Sequence, residues 1–295
     1  MPDSNNHIHN KSTRNLRLAF FLNLGFTLLE IVGGMYVNSV AILSDALHDL
    51  GDSLSLGIAW HLDKKSRKAS TQKFSFGYQR FSVLGALINS VVLIAGSIFI
   101  LSEVTERIMH PEETKAEGML IFALVGILVN GYAVLKMRRG KTLNERVVAW
   151  HLLEDVLGWI AVLIISIVLL FTDLYILDPI LSALITLYVL FNILKKLRET
   201  FLIFLQGVPA DINLTEIEKK LLAIDKIDSL HHVHTWTLDG ENHVFTAHVK
   251  IEDVHTFKEI VDIKKCIKSV IQKYPFSHYT IEIELNEEGC ELDDG

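Results

Sequence analysis

Residues 81–102 read FSVLGALINSVVLIAGSIFILS, a run of 22 positions without a formal charge. A helix rises about 1.5 Å per residue, so this run is long enough to cross the roughly 30 Å hydrocarbon core of a bilayer. The whole composition agrees, because 50% of the 295 residues are hydrophobic and 21% are charged, against about 25% charged in a typical soluble domain. The sequence therefore predicts a membrane protein whose surroundings are the lipid bilayer.

Five further apolar runs lie between residues 16 and 207. In chain order they are Leu18–Val37, Val40–Leu62, Gly118–Leu135, Val156–Thr172 and Pro179–Leu194. Segments on one side of the six spans carry 17 Lys and Arg residues, and those on the other side carry two. Because positively charged loops stay in the cytoplasm, this asymmetry places both termini there. We predict a six-helix transmembrane bundle over 16–207 in the cell membrane, preceded by a cytoplasmic tail over 1–15.

Residues 208–295 differ in character, with 18 acidic against 9 basic residues. Their pattern predicts the order αββαβ, which is that of a two-layer cytoplasmic α+β domain. The predicted elements are a helix over Thr215–Ile224, strands over Ser229–Leu238 and His243–Ile251, a helix over Thr256–Tyr274 and a strand over His278–Leu285. Thr215 is the predicted N-cap of the first helix. The formal net charge of −7 argues against a nucleic-acid partner, which would need a basic surface.

Two histidine–aspartate pairs lie inside the predicted spans. His48 and Asp52 are four residues apart in the second span, and His151 and Asp155 repeat this spacing in the fifth. Residues four apart lie one above the other on a helix face. Two imidazoles and two carboxylates suit a tetrahedral divalent ion, with zinc the usual occupant and cobalt and cadmium as competitors. Magnesium and calcium prefer more oxygen ligands.

Other roles exist for ionisable residues in the membrane. A charge there costs several kcal/mol, and a single such residue often makes a helix–helix hydrogen bond or a structural ion pair. Asp45 and Asp49 are also four apart, but they include no histidine and have no counterpart in the fifth span. Asp45 is instead expected to be an outer-sphere acceptor or an entrance residue. Glu30 is predicted to hydrogen-bond to a neighbouring helix.

Several of these motifs together resemble the cation diffusion facilitator family, nearest to its zinc, cobalt and cadmium resistance branch. They are Ser39–Asp52, the His151–Asp155 pair, Asp178-Pro179, and the run His231-His232-Val233-His234-Thr235-Trp236. The resemblance implies a homodimer that exports zinc from the cytoplasm in exchange for protons. It assigns His48, Asp52, His151 and Asp155 to the transport site. It also implies a metallochaperone-like fold for the soluble domain.

The resemblance further places His231, His248 and Glu284 at a cytoplasmic metal site, where zinc would be a structural or regulatory ion. The alternative is that these histidines are simply exposed at a sheet edge. On a regular strand, His232 and His234 share one face and His231 points the other way. Cys290 either adds a thiolate ligand to this site or is inert.

Metal and protons compete for imidazole and carboxylate, so a pH gradient can drive metal export through a site that is exposed to each side in turn. A metal-permeable channel would use the same intramembrane ligands without proton exchange. An intramembrane metalloprotease needs a motif such as H-E-x-x-H, which the sequence lacks, since Leu152 follows His151. A membrane metal sensor would bind zinc through its soluble domain and leave the intramembrane pairs without a task.

Overall fold

The computed structural model describes residues 21, 23–66, 70–137, 143–285, 288 and 290. The predicted tail over 1–15 lies outside these residues, and so do the side chains of Asp52 and His151. The described residues of Met1–His61 and Gly85–Lys196 form one compact unit, and those of Leu62–Leu84 and Leu197–Gly295 form another.

The described residues between 23 and 204 form six helices. Their bounds are Asn23–Val37 (α1), Val40–Ser66 (α2), Arg80–Met109 (α3), Ala116–Met137 (α4), Leu143–Phe171 (α5) and Leu177–Phe204 (α6). The last four contain segments that are long and apolar enough to cross a membrane, and α1 is a shorter apolar helix. The second helix is long enough as well, with 27 residues, but it carries the acidic residues noted above. The prediction of a multi-pass helical membrane protein is confirmed.

Glycines allow neighbouring helices of the bundle to approach closely. A Cβ at Gly51 of α2 would come within 2.2 Å of the Leu93 side chain on α3. A Cβ at Gly126 of α4 would come equally close to the indole of Trp159 on α5, which is fully buried. Small residues are favoured at helix contacts in membranes because packing, rather than the hydrophobic effect, holds the helices together.

A seam of buried polar contacts joins α2 to α6. Asp178, Ser182 and Thr186 are four residues apart along α6 and therefore share one face. The Ser182 hydroxyl donates to the carbonyl of Val40 at 3.2 Å, and the hydroxyls of Thr186 and Ser44 are 2.7 Å apart. These contacts fix the position of α2 against α6 over its first turns.

The carboxylate of Asp178 caps the N-terminus of α2 from the neighbouring helix. The backbone N–H of Val40 donates to Oδ2 at 2.7 Å, and the Ser39 hydroxyl donates to Oδ1 at 2.6 Å. The N–H of Ala41 lies 3.4 Å from Oδ1, and the aspartate is fully buried. The first N–H groups of a helix have no partner within it, so an anion at this place satisfies them and complements the helix dipole.

The soluble part contains a three-stranded sheet and two helices. Helix α7 spans Leu214–Leu222, strands β1 and β2 span Ile227–Thr237 and His243–Ile251, helix α8 spans Phe257–Ile271, and strand β3 spans Phe276–Leu285. The strand order is β1-β2-β3, with β1 antiparallel and β3 parallel to β2. The predicted αββαβ order is confirmed.

One face of this sheet and the two helices enclose the core. Its buried residues include Ile217, Leu221, Phe245, Ala247, Val249, Ile251, Ile263, Ile267 and Ile271. Side chains alternate across a strand, so His248 and the residues paired with it lie on the opposite face. The helices therefore leave the histidine-bearing face of the sheet uncovered.

The predicted N-cap of α7 is wrong by two residues. Asn213 rather than Thr215 caps this helix, because its side-chain oxygen accepts from the N–H of Glu216 at 3.2 Å. Asparagine is at least as good an N-cap as threonine, so the earlier cap adds two residues to the start of the helix at no cost. Thr256 caps α8 and accepts from the N–H of Glu259 at 3.3 Å.

Candidate metal sites

Each histidine–aspartate pair of the predicted transport site lies within one continuous helix. His48 and Asp52 belong to α2, and His151 and Asp155 belong to α5. The helical backbone thus separates the two residues of each pair by about one turn. Asp155 is buried and His48 is half-buried.

A contact between α2 and α5 sets the register of the two pairs. A Cβ at Gly158 would lie 4.0 Å from Oδ1 of Asp45. Three connections separate α2 from α5, so the two helices run in opposite directions if the chain reverses at each connection. His48 lies three residues after Asp45 on α2. Asp155 lies three residues before Gly158 on α5. At about 1.5 Å per residue, we expect these two positions to lie at similar levels, each about 4.5 Å along its helix axis from the contact.

The same counting of helix positions applies to Asp52 and His151. Asp52 is seven positions beyond Asp45, and His151 is seven positions before Gly158. Both positions are therefore expected about 10 Å along the helix axes from the contact, at similar levels. This register would pair a histidine of one helix with an aspartate of the other at two successive turns.

Helix α1 is bound to α2 at this level. The side-chain amide of Asn23 donates to the carbonyl of Asp49 at 3.1 Å and to the hydroxyl of Ser53 at 3.0 Å. Glu30, on the same helix as Asn23, is fully buried, and its electrostatic neighbours are Asp45 and Asp155. Among the described residues, its two carboxylate oxygens have no hydrogen-bond partner, so the predicted hydrogen bond to a neighbouring helix is not found.

The Asp178 cap gives a prediction about stability. Asp178→Ala removes the acceptor of the Val40 N–H and the Ser39 hydroxyl, and an unsatisfied buried group costs about 1–3 kcal/mol. We expect the variant to unfold at a lower temperature in detergent, as followed by circular dichroism. Asp173→Ala, which removes an exposed carboxylate just before α6, is the control and should unfold like the wild type. Equal unfolding temperatures for all three proteins would contradict the capping role.

A second cluster lies on the uncovered face of the soluble sheet. It consists of His231, His248, Glu284 and Cys290, whose potential ligand atoms all lie within 4.8 Å of one another. Nε2 of His231 is 2.9 Å from one oxygen of Glu284, and Nδ1 of His248 is 2.7 Å from the other. The sulfur of Cys290 lies 3.8 Å from Nδ1 of His248. The structure therefore brings together the three residues assigned to a cytoplasmic site and adds a cysteine.

A β-bulge shapes this cluster. His231 pairs with His248 and His234 pairs with Thr246, so one extra residue of β1 lies between the two pairings. His232 has a positive φ of 47° within this bulge. The expectation that His231 and His234 lie on opposite faces is therefore wrong, because the bulge breaks the alternation. The ring of His232 lies 5.1 Å from that of His248, beside the cluster.

Two histidines lower the pKa of the buried Glu284 carboxyl. Burial alone would raise the pKa of Glu284, but the hydrogen bonds to His248 and His231 outweigh it and hold the pKa below its usual range. The second ring nitrogen of His248 is 3.6 Å from an oxygen of Glu282, which is mostly exposed. Metal-binding histidines commonly offer their second nitrogen to a carboxylate in this way, which orients the ring.

Sequence reasoning missed two features of these sites. The role of Asp178 as a cap for another helix has no local signal, since the residues that it binds are more than 130 positions away. Cys290 was left undecided because five positions separate it from the end of β3 and no motif links it to the histidines. The only signal was the softness of its sulfur as a zinc ligand.

The chain matches two family models in succession. Residues 16–205 match the cation efflux transmembrane domain, and residues 209–286 match the cytoplasmic domain of cation efflux proteins. The chain therefore belongs to the cation diffusion facilitator family, whose members export cations across membranes. The match to the family's cytoplasmic dimerisation domain also supports a homodimer.

Relatives along nearly the full length place the chain in the zinc, cadmium and cobalt branch of this family. It is 32% identical to the zinc transporter ZitB of Escherichia coli, over 98% of the chain and 90% of that protein. It is 30% identical to the cadmium, cobalt and zinc/H(+)-K(+) antiporter of Bacillus velezensis, over 96% and 92%. It is 31% identical to the metal cation efflux system protein CzcD of Cupriavidus metallidurans, over 92% and 86%.

Proposed function

We propose that this protein exports zinc from the cytoplasm in exchange for protons. The site would be the tetrahedral set His48, Asp52, His151 and Asp155, with cadmium and cobalt as further substrates. The Asp45–Gly158 contact between α2 and α5 is the observation that supports this proposal, because helix geometry counted from it predicts both pairs at matching levels. The names of the relatives agree with this range of metals.

The ligand chemistry accounts for the exchange. Zinc binds neutral imidazole and ionised carboxylate, so each bound ion displaces protons from these groups. Imidazole has an unperturbed pKa of about 6.5, so protons from a modestly acidic exterior would compete with zinc for His48 and His151. The site must then face the two sides alternately, by movement of helices rather than through an open pore.

The proposed surroundings are the cell membrane, with both termini in the cytoplasm. The basic residues that flank the spans support this orientation. In this arrangement the domain 208–295 samples cytoplasmic metal, and the cluster of His231, His248 and Glu284 would bind zinc as a structural or regulatory ion. A homodimer would carry two transport sites and two such clusters.

Purified protein in liposomes tests the proposal. A zinc-sensitive dye and a pH-sensitive dye inside the same vesicles report both movements, and protein-free vesicles are the control. We expect zinc uptake to accelerate when the interior is more acidic, with a proportional loss of internal protons. Zinc flux without any proton movement would instead identify a channel, and binding without flux would identify a sensor.

A further inference from the structure

We propose that Cys290 is the fourth ligand of the cytoplasmic metal site. The site would then be a His-His-Glu-Cys set that ties residue 290 to β1, β2 and β3 when metal is bound. This inference rests on the proposed metal-binding role of His231, His248 and Glu284. It adds a thiolate to that site, and the thiolate predicts which metal ions the site binds.

The spacing of the four ligand atoms supports this assignment. Zinc bonds of about 2.0–2.3 Å in a tetrahedron place neighbouring ligand atoms roughly 3.3–3.8 Å apart. The sulfur of Cys290 is 3.8 Å from Nδ1 of His248, and no pair of ligand atoms in the cluster is more than 4.8 Å apart. An ion therefore needs only small side-chain movements to contact all four.

The contacts of Glu284 with the two histidines already hold the proposed ligands close together. Both oxygens of Glu284 face an imidazole nitrogen, at 2.7 and 2.9 Å, so the carboxylate is held between the two rings. These distances are shorter than the spacing of two zinc ligands, so a bound metal would move the oxygens and nitrogens slightly apart. Cys290 is exposed, so an ion can reach its sulfur from the solvent.

A thiolate changes which metals the cluster accepts. Sulfur favours zinc and cadmium, whereas manganese and magnesium prefer oxygen. The proposed transport site has no sulfur ligand, so the two sites would differ in their spectra. The chain also supplies a matched control, because Cys266 is an exposed cysteine on α8 outside the cluster.

Cobalt is a suitable probe, since a thiolate bound to cobalt gives a charge-transfer absorption in the near ultraviolet. The full chain is titrated with cobalt in detergent, in an Asp155→Ala background that removes the proposed transport site. We expect the band in this background and with Cys266→Ser added, and its loss with Cys290→Ser. We also expect Cys290→Ser to weaken cobalt binding by about 10- to 100-fold.

Site-specific alkylation gives a second measurement that does not depend on cobalt. Zinc should slow the modification of Cys290 by roughly tenfold or more and leave that of Cys266 unchanged, because a metal-bound thiolate is shielded. An unaltered band and affinity in Cys290→Ser, or no protection by zinc, would overturn the role of Cys290. Glu284→Gln separates the two proposals: if it leaves cobalt binding unchanged, the cytoplasmic site itself is wrong.

Discussion

The Asp155→Ala variant is expected to lose zinc efflux completely while it remains folded. Asp155 lies on α5, is buried, and is one of four proposed ligands, so the substitution leaves an incomplete site in the bilayer. Three ligands of which two are neutral imidazoles compensate the charge of a divalent ion poorly in a low-dielectric environment. Zinc flux into liposomes should therefore fall to the level of vesicles without protein.

The neighbouring residue provides the matched control. Glu154 is exposed, and the Tyr188 hydroxyl donates to one of its oxygens at 3.1 Å. Glu154→Ala therefore removes a carboxylate of similar size from the same helix turn but not from the site, and it should retain flux. Gel filtration and thermal unfolding establish that both variants are folded. Flux close to the wild-type rate in Asp155→Ala would mean that the site has been wrongly assigned.

The His48→Asp variant is expected to change the metal preference of the transporter. The substitution replaces one of the two imidazoles with a harder oxygen ligand, and oxygen-rich sites accept manganese more readily relative to zinc. In liposomes with zinc and a competing metal at equal concentration, the ratio of zinc to competitor transported should fall. A change of roughly tenfold in this ratio corresponds to about 1.4 kcal/mol of differential binding.

A histidine outside the site provides the control for introducing a carboxylate in place of an imidazole. His110 is exposed and follows α3. His110→Asp adds the same charge at the membrane surface and should leave the transport ratio unchanged. An unaltered zinc-to-manganese ratio in His48→Asp would exclude His48 as a ligand that selects the metal.

The sequence predicts most of the fold because its strongest patterns, the long uncharged runs and the alternation along strands, reflect burial in lipid or in a core. Uncharged runs such as 81–102 admit no other environment than a bilayer, and α3 contains this run within Arg80–Met109. The strand His243–Ile251 has the same bounds in the structure, since its alternation faces a core on one side only. The cap at Asn213 was missed because two adequate capping residues lie two positions apart, and the sequence pattern does not distinguish between them.

The sites could be predicted in part. The spacing of four residues within α2 and α5 follows from helix geometry, so those candidates come from sequence alone. The bulge at His232 could not be predicted, because strand alternation assumes one residue per pairing step. The contribution of Cys290 depends on where the chain goes after Leu285, which no periodic pattern describes.

X-ray absorption at the zinc edge tests the intramembrane site most directly. The full chain, with Glu284→Gln and Cys290→Ser to remove the cytoplasmic cluster, is loaded with one zinc per protomer. The account predicts four nitrogen or oxygen neighbours at about 2.0–2.2 Å, with the outer-shell signal of two imidazoles, one of which disappears in His151→Ala. A six-coordinate shell, a spectrum unaffected by His151→Ala, or the absence of stoichiometric binding would contradict a tetrahedral site built from α2 and α5.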